Sequence, residues 1–168
     1  MMEWLKRALA LATLALVAAC GGGDDDHAPG NLVQVAQADP QFSILVEAVT
    51  AARLDTTLSG PGPYTVFAPT NAAFAALLTE LGVSKADLLA DTALLTQVLT
   101  YHVLDGRVLK ANVPVGAPIA SKQGDTFTVD ATLTITDQRQ RRAAITATDV
   151  IASNGVIHVI DRVILPAP

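Results

Sequence analysis

The histidines of this 168-residue chain, the side chains best suited to acid–base or metal chemistry near neutral pH, stand far apart in the sequence. The three histidines are His27, His102 and His158, and the single cysteine is Cys20. A lone thiol makes neither an intramolecular disulfide nor half of a CxxC zinc or redox pair. No GxSxG elbow, GxGxxG or Walker phosphate loop, or HExxH helix occurs. The expectation is a protein that is not an enzyme, with no catalytic residues, no metal site and no cofactor.

The remaining polar residues of interest read first as structure. His102 follows Leu94, Leu95, Val98 and Leu99 by helical steps, so it should point inward. A buried imidazole must then find partners for both nitrogens. The competing reading makes Tyr101-His102 a contact for a ligand or an adhesion partner. His158 and Asp161 lie in the apolar run 156–165, where a regular strand would put them on opposite faces. They therefore cannot form a catalytic dyad, and both are expected as buried polar groups that fix register. Both faces of that run are largely apolar, so the strand should be central and covered on both sides. Asn154-Gly155 ahead of it reads as a turn in which glycine supplies a positive φ. Arg139, Arg141 and Arg142 form the one basic cluster. It reads as a solvated hairpin loop or as a contact for an anionic glycan or lipid head group.

The elements that must position these groups change in kind along the chain. Asn31 can cap a short helix over 31–38, and residues 41–54 place Phe42, Leu45, Val46, Val49 and Ala52 on one helical stripe. A GPGP breaker at 60–63 precedes a strand from Tyr64 to Ala68. Pro69 stops that strand, and Thr70 or Asn71 caps a helix that should bury Phe74, Leu77, Leu78 and Leu81 before Gly82 ends it. Ser84 and Asp87 open a short helix as a capping box, and Asp91 or Thr92 caps the one that carries His102. From Arg107 onward, segments 107–110, 117–121, 126–130, 132–136, 143–150 and 156–165 are short and rich in Val, Ile and Thr. Helices first and strands afterwards indicate an α+β architecture.

The first thirty residues read differently. Residues 1–7 end in Lys6 and Arg7, and residues 8–19 are an apolar run ending in Val17-Ala18-Ala19 before Cys20. A spanning helix needs ~20 residues, so this run has the length and flanks of an export signal. The segment resembles a bacterial lipobox, which implies cleavage after Ala19 and lipidation of Cys20. Several acyl chains give stable anchoring where one gives only reversible binding. Gly21–Gly23 and Asp24–Asp26 follow, a composition expected to stay disordered over 20–30. The division expected is a signal peptide at 1–19, a lipidated tether at 20–30 and one domain at 31–168. The formal net charge is −5, and nothing in it resembles the basic footprint of a nucleic-acid binder.

Three segments in order resemble the fasciclin domain family. They are the run Tyr64 to Phe74, YTVFAPTNAAF; the run Leu99 to Leu104, LTYHVL; and the run Asp149 to Pro166, DVIASNGVIHVIDRVILP. The resemblance covers residues 31–166. It implies a fasciclin-like α+β fold in which N-terminal helices pack on a β-wedge of short strands. It draws attention to Thr70, Asn71, Tyr101, His102, Asn154, His158 and Asp161 as a binding or structural motif. It also implies an extracytoplasmic binding module for cell adhesion or for matrix or biofilm association, through an unknown protein or glycan partner. The domain is expected to be monomeric and tied to the cell envelope, periplasm-facing or on the cell surface. Gly21 favours outer-membrane delivery, because it replaces the Asp retention signal known in some enteric bacteria. The alternatives are a binder of small apolar ligands, held in a cleft between helices and sheet, and a purely structural envelope lipoprotein.

Overall fold

The computed structural model describes residues 29–168. The expected signal peptide, Cys20, His27 and most of the tether lie outside the described residues.

Among the described residues, six α-helices occupy the first part: α1 (Leu32–Ala38), α2 (Ser43–Ala51), α3 (Asp55–Leu58), α4 (Asn71–Leu81), α5 (Lys85–Ala90) and α6 (Thr92–Tyr101). Seven strands follow the same chain order: β1 (Tyr64–Pro69), β2 (Val103–Asp105), β3 (Pro118–Ala120), β4 (Thr126–Val129), β5 (Thr134–Thr136), β6 (Arg142–Ala152) and β7 (Gly155–Ile160). They make one sheet in the order β2-β1-β7-β6-β5-β4-β3. All neighbours are antiparallel except β1 and β7, which run parallel with Phe67 opposite His158. The sheet curls until the end of β3 meets β2, where Lys122 N donates to the Val103 carbonyl at 2.7 Å. The result is a barrel-like wedge with helices packed on one outer face.

This geometry creates two cores that share their central strands. Val66 and Ala68 of β1 and Ile157 and Val159 of β7 face the helices, meeting Leu45, Phe74 and Leu99 among others. Phe67 and Ile160 point the other way, into a barrel core with Tyr101, Phe127 and Ile135. Every residue of β7 is buried, as a strand covered on both sides requires.

Several boundaries differ from the sequence expectations. The single helix expected over 41–54 is a 3₁₀ turn at Pro40–Phe42, then α2, then α3. The chain breaks at Arg53, whose φ of 56° lies in the left-handed region without any glycine to announce it. Leu81 is 41 % exposed rather than buried, because it follows the last full turn of α4 that faces the sheet. Gly82 does end that helix, with φ 66°. Segment 107–110 is not a strand; β2 forms earlier, at 103–105.

The strand expected over 156–165 stops at Ile160. Its parallel partner β1 stops opposite, at Pro69, which has no N–H to continue the ladder. Asp161 is consequently exposed, not a buried polar group. Its carboxylate accepts from Ala144 N at 2.8 Å on β6. The inward pattern nevertheless persists past the strand end. Val163 and Leu165 join the helix-side core and Ile164 joins the barrel core.

Candidate functional site

The polar residues of the three sequence segments are recruited one by one to join elements. Thr70 is the N-cap of α4, accepting from Ala73 N. Asn71 does not cap its own helix. Its Oδ1 accepts from Ile44 N at 3.0 Å, and its Nδ2 donates to the Pro40 carbonyl and to Ser43 Oγ, both at 3.0 Å. Asn71 thereby caps α2, whose own N-cap position is Phe42 and carries no polar side chain. Two adjacent residues thus start two helices and fix them to each other.

Asn154 sits in the β6–β7 hairpin and is buried. Its Oδ1 accepts from Leu32 N at 2.9 Å, and its Nδ2 donates to the carbonyls of Leu58 and Gly60, each at 2.7 Å. One amide therefore ties the start of α1, the end of α3 and the hairpin together. Gly155 follows without a positive φ, which corrects the turn expectation. It is glycine because a Cβ there would collide with the Tyr64 carbonyl of β1.

Tyr101 and His102 are neighbours that serve different cores. Tyr101 turns into the barrel, meets the Phe127 ring edge-on at 5.7 Å and donates its hydroxyl to the Thr126 carbonyl at 2.9 Å. Burial holds its phenol well above the usual tyrosine range. His102 is 2 % exposed. Its Nδ1 lies 2.6 Å from the Val98 carbonyl, so Nδ1 carries the proton. Its Nε2 accepts from Ile164 N at 3.2 Å, which pins the C-terminal segment to α6. Burial pushes His102 down to about 4, against smaller opposing effects of the Val98 hydrogen bond and the Asp137 charge.

His158 is also fully buried, beside the Phe67 ring at 5.4 Å between centroids. Its bonding pattern is the mirror of the first. Nε2 lies 2.8 Å from the Val108 carbonyl and donates, while Nδ1 accepts from Asp149 N at 3.3 Å. It locks the bulged strand β6, where Asp149 has a left-handed φ of 59°, to the loop after β2. Neither ring retains a nitrogen with which to abstract a proton from a substrate. His102, His158 and Asp161 are not brought together: the two rings bond different backbone segments and Asp161 is at the surface.

The basic cluster is dispersed. Arg142 pairs with Asp130 at 2.9 Å, Arg141 with Glu80 at 2.7 Å, and Arg139 donates from Nε to the Pro166 carbonyl. Sequence reasoning passed over three residues of equal structural weight. Asp137 is a buried carboxylate that accepts from the backbone N–H groups of Arg139, Arg141 and Leu165. Thr65 is fully buried in β1, donating to the Gly106 carbonyl and accepting from Val108 N. Arg107 donates to the Ala152 carbonyl. Asp137 opening a polar turn was the one available signal; the partners of the other two come from remote segments.

No group of three or more His, Cys, Asp or Glu side chains among the described residues could hold a metal ion. The cleft between helices and sheet contains a cavity of about 40 Å³, lined by Leu32, Leu45, Val49 and His102 among others. Its lining is apolar apart from His102. No described helix is long and apolar enough to cross a membrane.

An α+β wedge with these three motif blocks used as internal joints defines the class of fold. The chain belongs to the fasciclin domain family, which matches residues 40–166. It is 46 % identical to Protein sll1483 of Synechocystis over 138 residues, covering 80 % of this chain and 73 % of that protein. It is 40 % identical to Uncharacterized protein sll1735 of the same organism, covering 80 % of this chain and 97 % of that one. Transforming growth factor-beta-induced protein ig-h3 of Sus scrofa is 36 % identical across 82 % of this chain, which spans only 19 % of that longer protein. A domain pair from the insect cell adhesion molecule fasciclin I shares the fold with a TM-score of 0.71 at 15 % identity. That alignment covers 81 % of this chain and 51 % of the two-domain chain.

Proposed function

We propose that this protein is a non-catalytic, lipid-anchored module of the bacterial cell envelope that mediates adhesion or matrix association through protein or glycan contacts on its exterior. The observation that carries this reading is the consumption of the motif residues inside the fold. His102, His158, Asn154 and Asn71 all spend their hydrogen-bonding groups on partners within the fold, nearly all of them backbone. Recognition is then left to the outer surface, where complementarity of shape and charge decides the partner. The run 8–19 followed by Cys20 supplies the anchor in this account, and anchored copies gain avidity from their high local concentration.

The test is attachment and aggregation of the native bacterium after deletion of the gene. Loss of attachment is expected, with recovery on expression of the full chain but not of the Cys20→Ser chain. Attachment, aggregation and biofilm formation that are all unchanged by the deletion would contradict the proposal.

A further inference from the structure

The C-terminal segment is held by side chains rather than by the sheet. Backbone pairing ends at Asp161, whose N–H donates to the Ala144 carbonyl at 3.1 Å. Among the described residues, none from 162 to 168 makes a backbone–backbone hydrogen bond. Four consecutive residues are instead each gripped by a different ionisable side chain. Ile164 N donates to His102 Nε2 at 3.2 Å, and Leu165 N donates to Asp137 Oδ2 at 2.9 Å. The Pro166 carbonyl accepts from Arg139 Nε at 3.0 Å, and Ala167 N donates to Asp125 Oδ2 at 3.2 Å. The segment is thus a strap, with Val163 and Leu165 in the helix-side core and Ile164 in the barrel core. Leu165 to Pro168 also share a groove with Leu77 of α4 and with Leu95 and Leu99 of α6.

The His102 grip has two states. The neutral ring donates from Nδ1 to the Val98 carbonyl and accepts at Nε2. A protonated ring carries N–H at both nitrogens and has nothing left with which to accept. Its Nε2–H would face the Ile164 N–H, donor against donor. Asp137 supplies the charge that acts on the ring, and it favours the protonated form. α6 itself carries no charged side chain from Thr92 to Tyr101, and neither do α1 and β1. Of the other elements around the ring, α2 carries Glu47, paired with Lys85, and β2 carries Asp105, paired with Lys122. α3 carries Asp55 in its first turn, and β7 carries His158, bonded to backbone. On the strap's own approach, Asp161 and Arg162 are exposed.

We infer that this strap is an acid-operated latch: protonation of His102 releases residues 163–168 while the rest of the fold stays closed, and the release bares the apolar sides of α4 and α6 that the strap covers. This goes beyond the adhesion reading and does not depend on it. Linkage gives the direction. Burial lowers His102 from 6.5 to about 4, and a released ring regains the ordinary value. The open form therefore binds the proton more tightly, and opening gains about tenfold per pH unit as the pH falls from about 6.5 toward 4.

The experiment follows amide hydrogen exchange of the full chain by NMR at pH 7 and pH 4.5, with and without a low concentration of urea. After correction for intrinsic exchange, the Ile164, Leu165 and Ala167 amides should open at least about tenfold more readily than those of Ile157 and Val159 in β7, with little dependence on urea. Their opening constant should rise about 50-fold from pH 7 to pH 4.5. His102→Gln should flatten that rise. Arg139→Gln, at an exposed position, removes one grip and should raise strap opening about fivefold at both pH values without changing the pH dependence. Strap amides that exchange only together with those of β7, at the same rate and with the same urea dependence, would overturn the inference. So would strap opening in the unaltered chain that ignores pH, or a pH dependence that persists in His102→Gln.

Discussion

At the residue scale, His102 links a pH dependence to the fold. Burial lowers it from the ordinary 6.5 to about 4, so the unfolded chain takes up a proton at a higher pH than the folded one. The contribution is fully present above about pH 6.5 and is lost as the pH falls toward 4. A depression of that size corresponds to about 3 kcal/mol, as an order of magnitude. Urea unfolding at pH 7.5 and at pH 4.5 should therefore show a stability loss that shrinks by about 2–3 kcal/mol in His102→Gln. An identical loss in both proteins would place the acid sensitivity elsewhere. Asn154 is the second sensitive point. Asn154→Ala leaves Leu32 N and the Leu58 and Gly60 carbonyls without their partner and should cost about 3 kcal/mol in the same assay. The inward orientation of His102 was legible from its apolar stripe. The burial of Asn154 was not, because its acceptors and donors come from segments more than ninety residues away, at Leu32, Leu58 and Gly60.

At the scale of elements, local chemistry was readable and pairing was not. The Asn31 cap, the capping box at Ser84, the Thr70 cap and the Gly82 stop are written within a few residues, so they appear in the sequence as in the structure. The break at Arg53 has no glycine or proline to mark it; the restart as α3 lets Leu58 be buried. Likewise the end of β7 is set by Pro69 on another strand, so the alternation 156–165 overran the real element and misplaced Asp161. The junction of β1 with β7 is where one added methyl group should matter most. Gly155→Ala drives a Cβ into the Tyr64 carbonyl and should destabilise by more than about 3 kcal/mol, reported as a large fall in thermal midpoint. A well-tolerated alanine would show that the parallel pairing is looser than described.

At the scale of the whole molecule, single buried polar side chains tie together segments that lie far apart in the chain. His102 connects α6 to the segment after β7, His158 connects β6 to the loop after β2, and Asp137 connects the β5–β6 turn to Leu165. The α+β class and the position of β7 as a doubly covered strand followed from the order of helices and strands and from its two apolar faces. The closure of the barrel did not, since the contact of Lys122 with Val103 depends on how far the sheet curls.

The most direct test of the histidines as internal joints is a long-range ¹H–¹⁵N NMR spectrum of the imidazoles at pH 7. The structure requires His102 protonated at Nδ1 and His158 at Nε2, each as a single tautomer with slowly exchanging ring protons. Rings that average between tautomers and exchange rapidly with water would mean that these groups face solvent, and the case for a working exterior over an inert interior would fail.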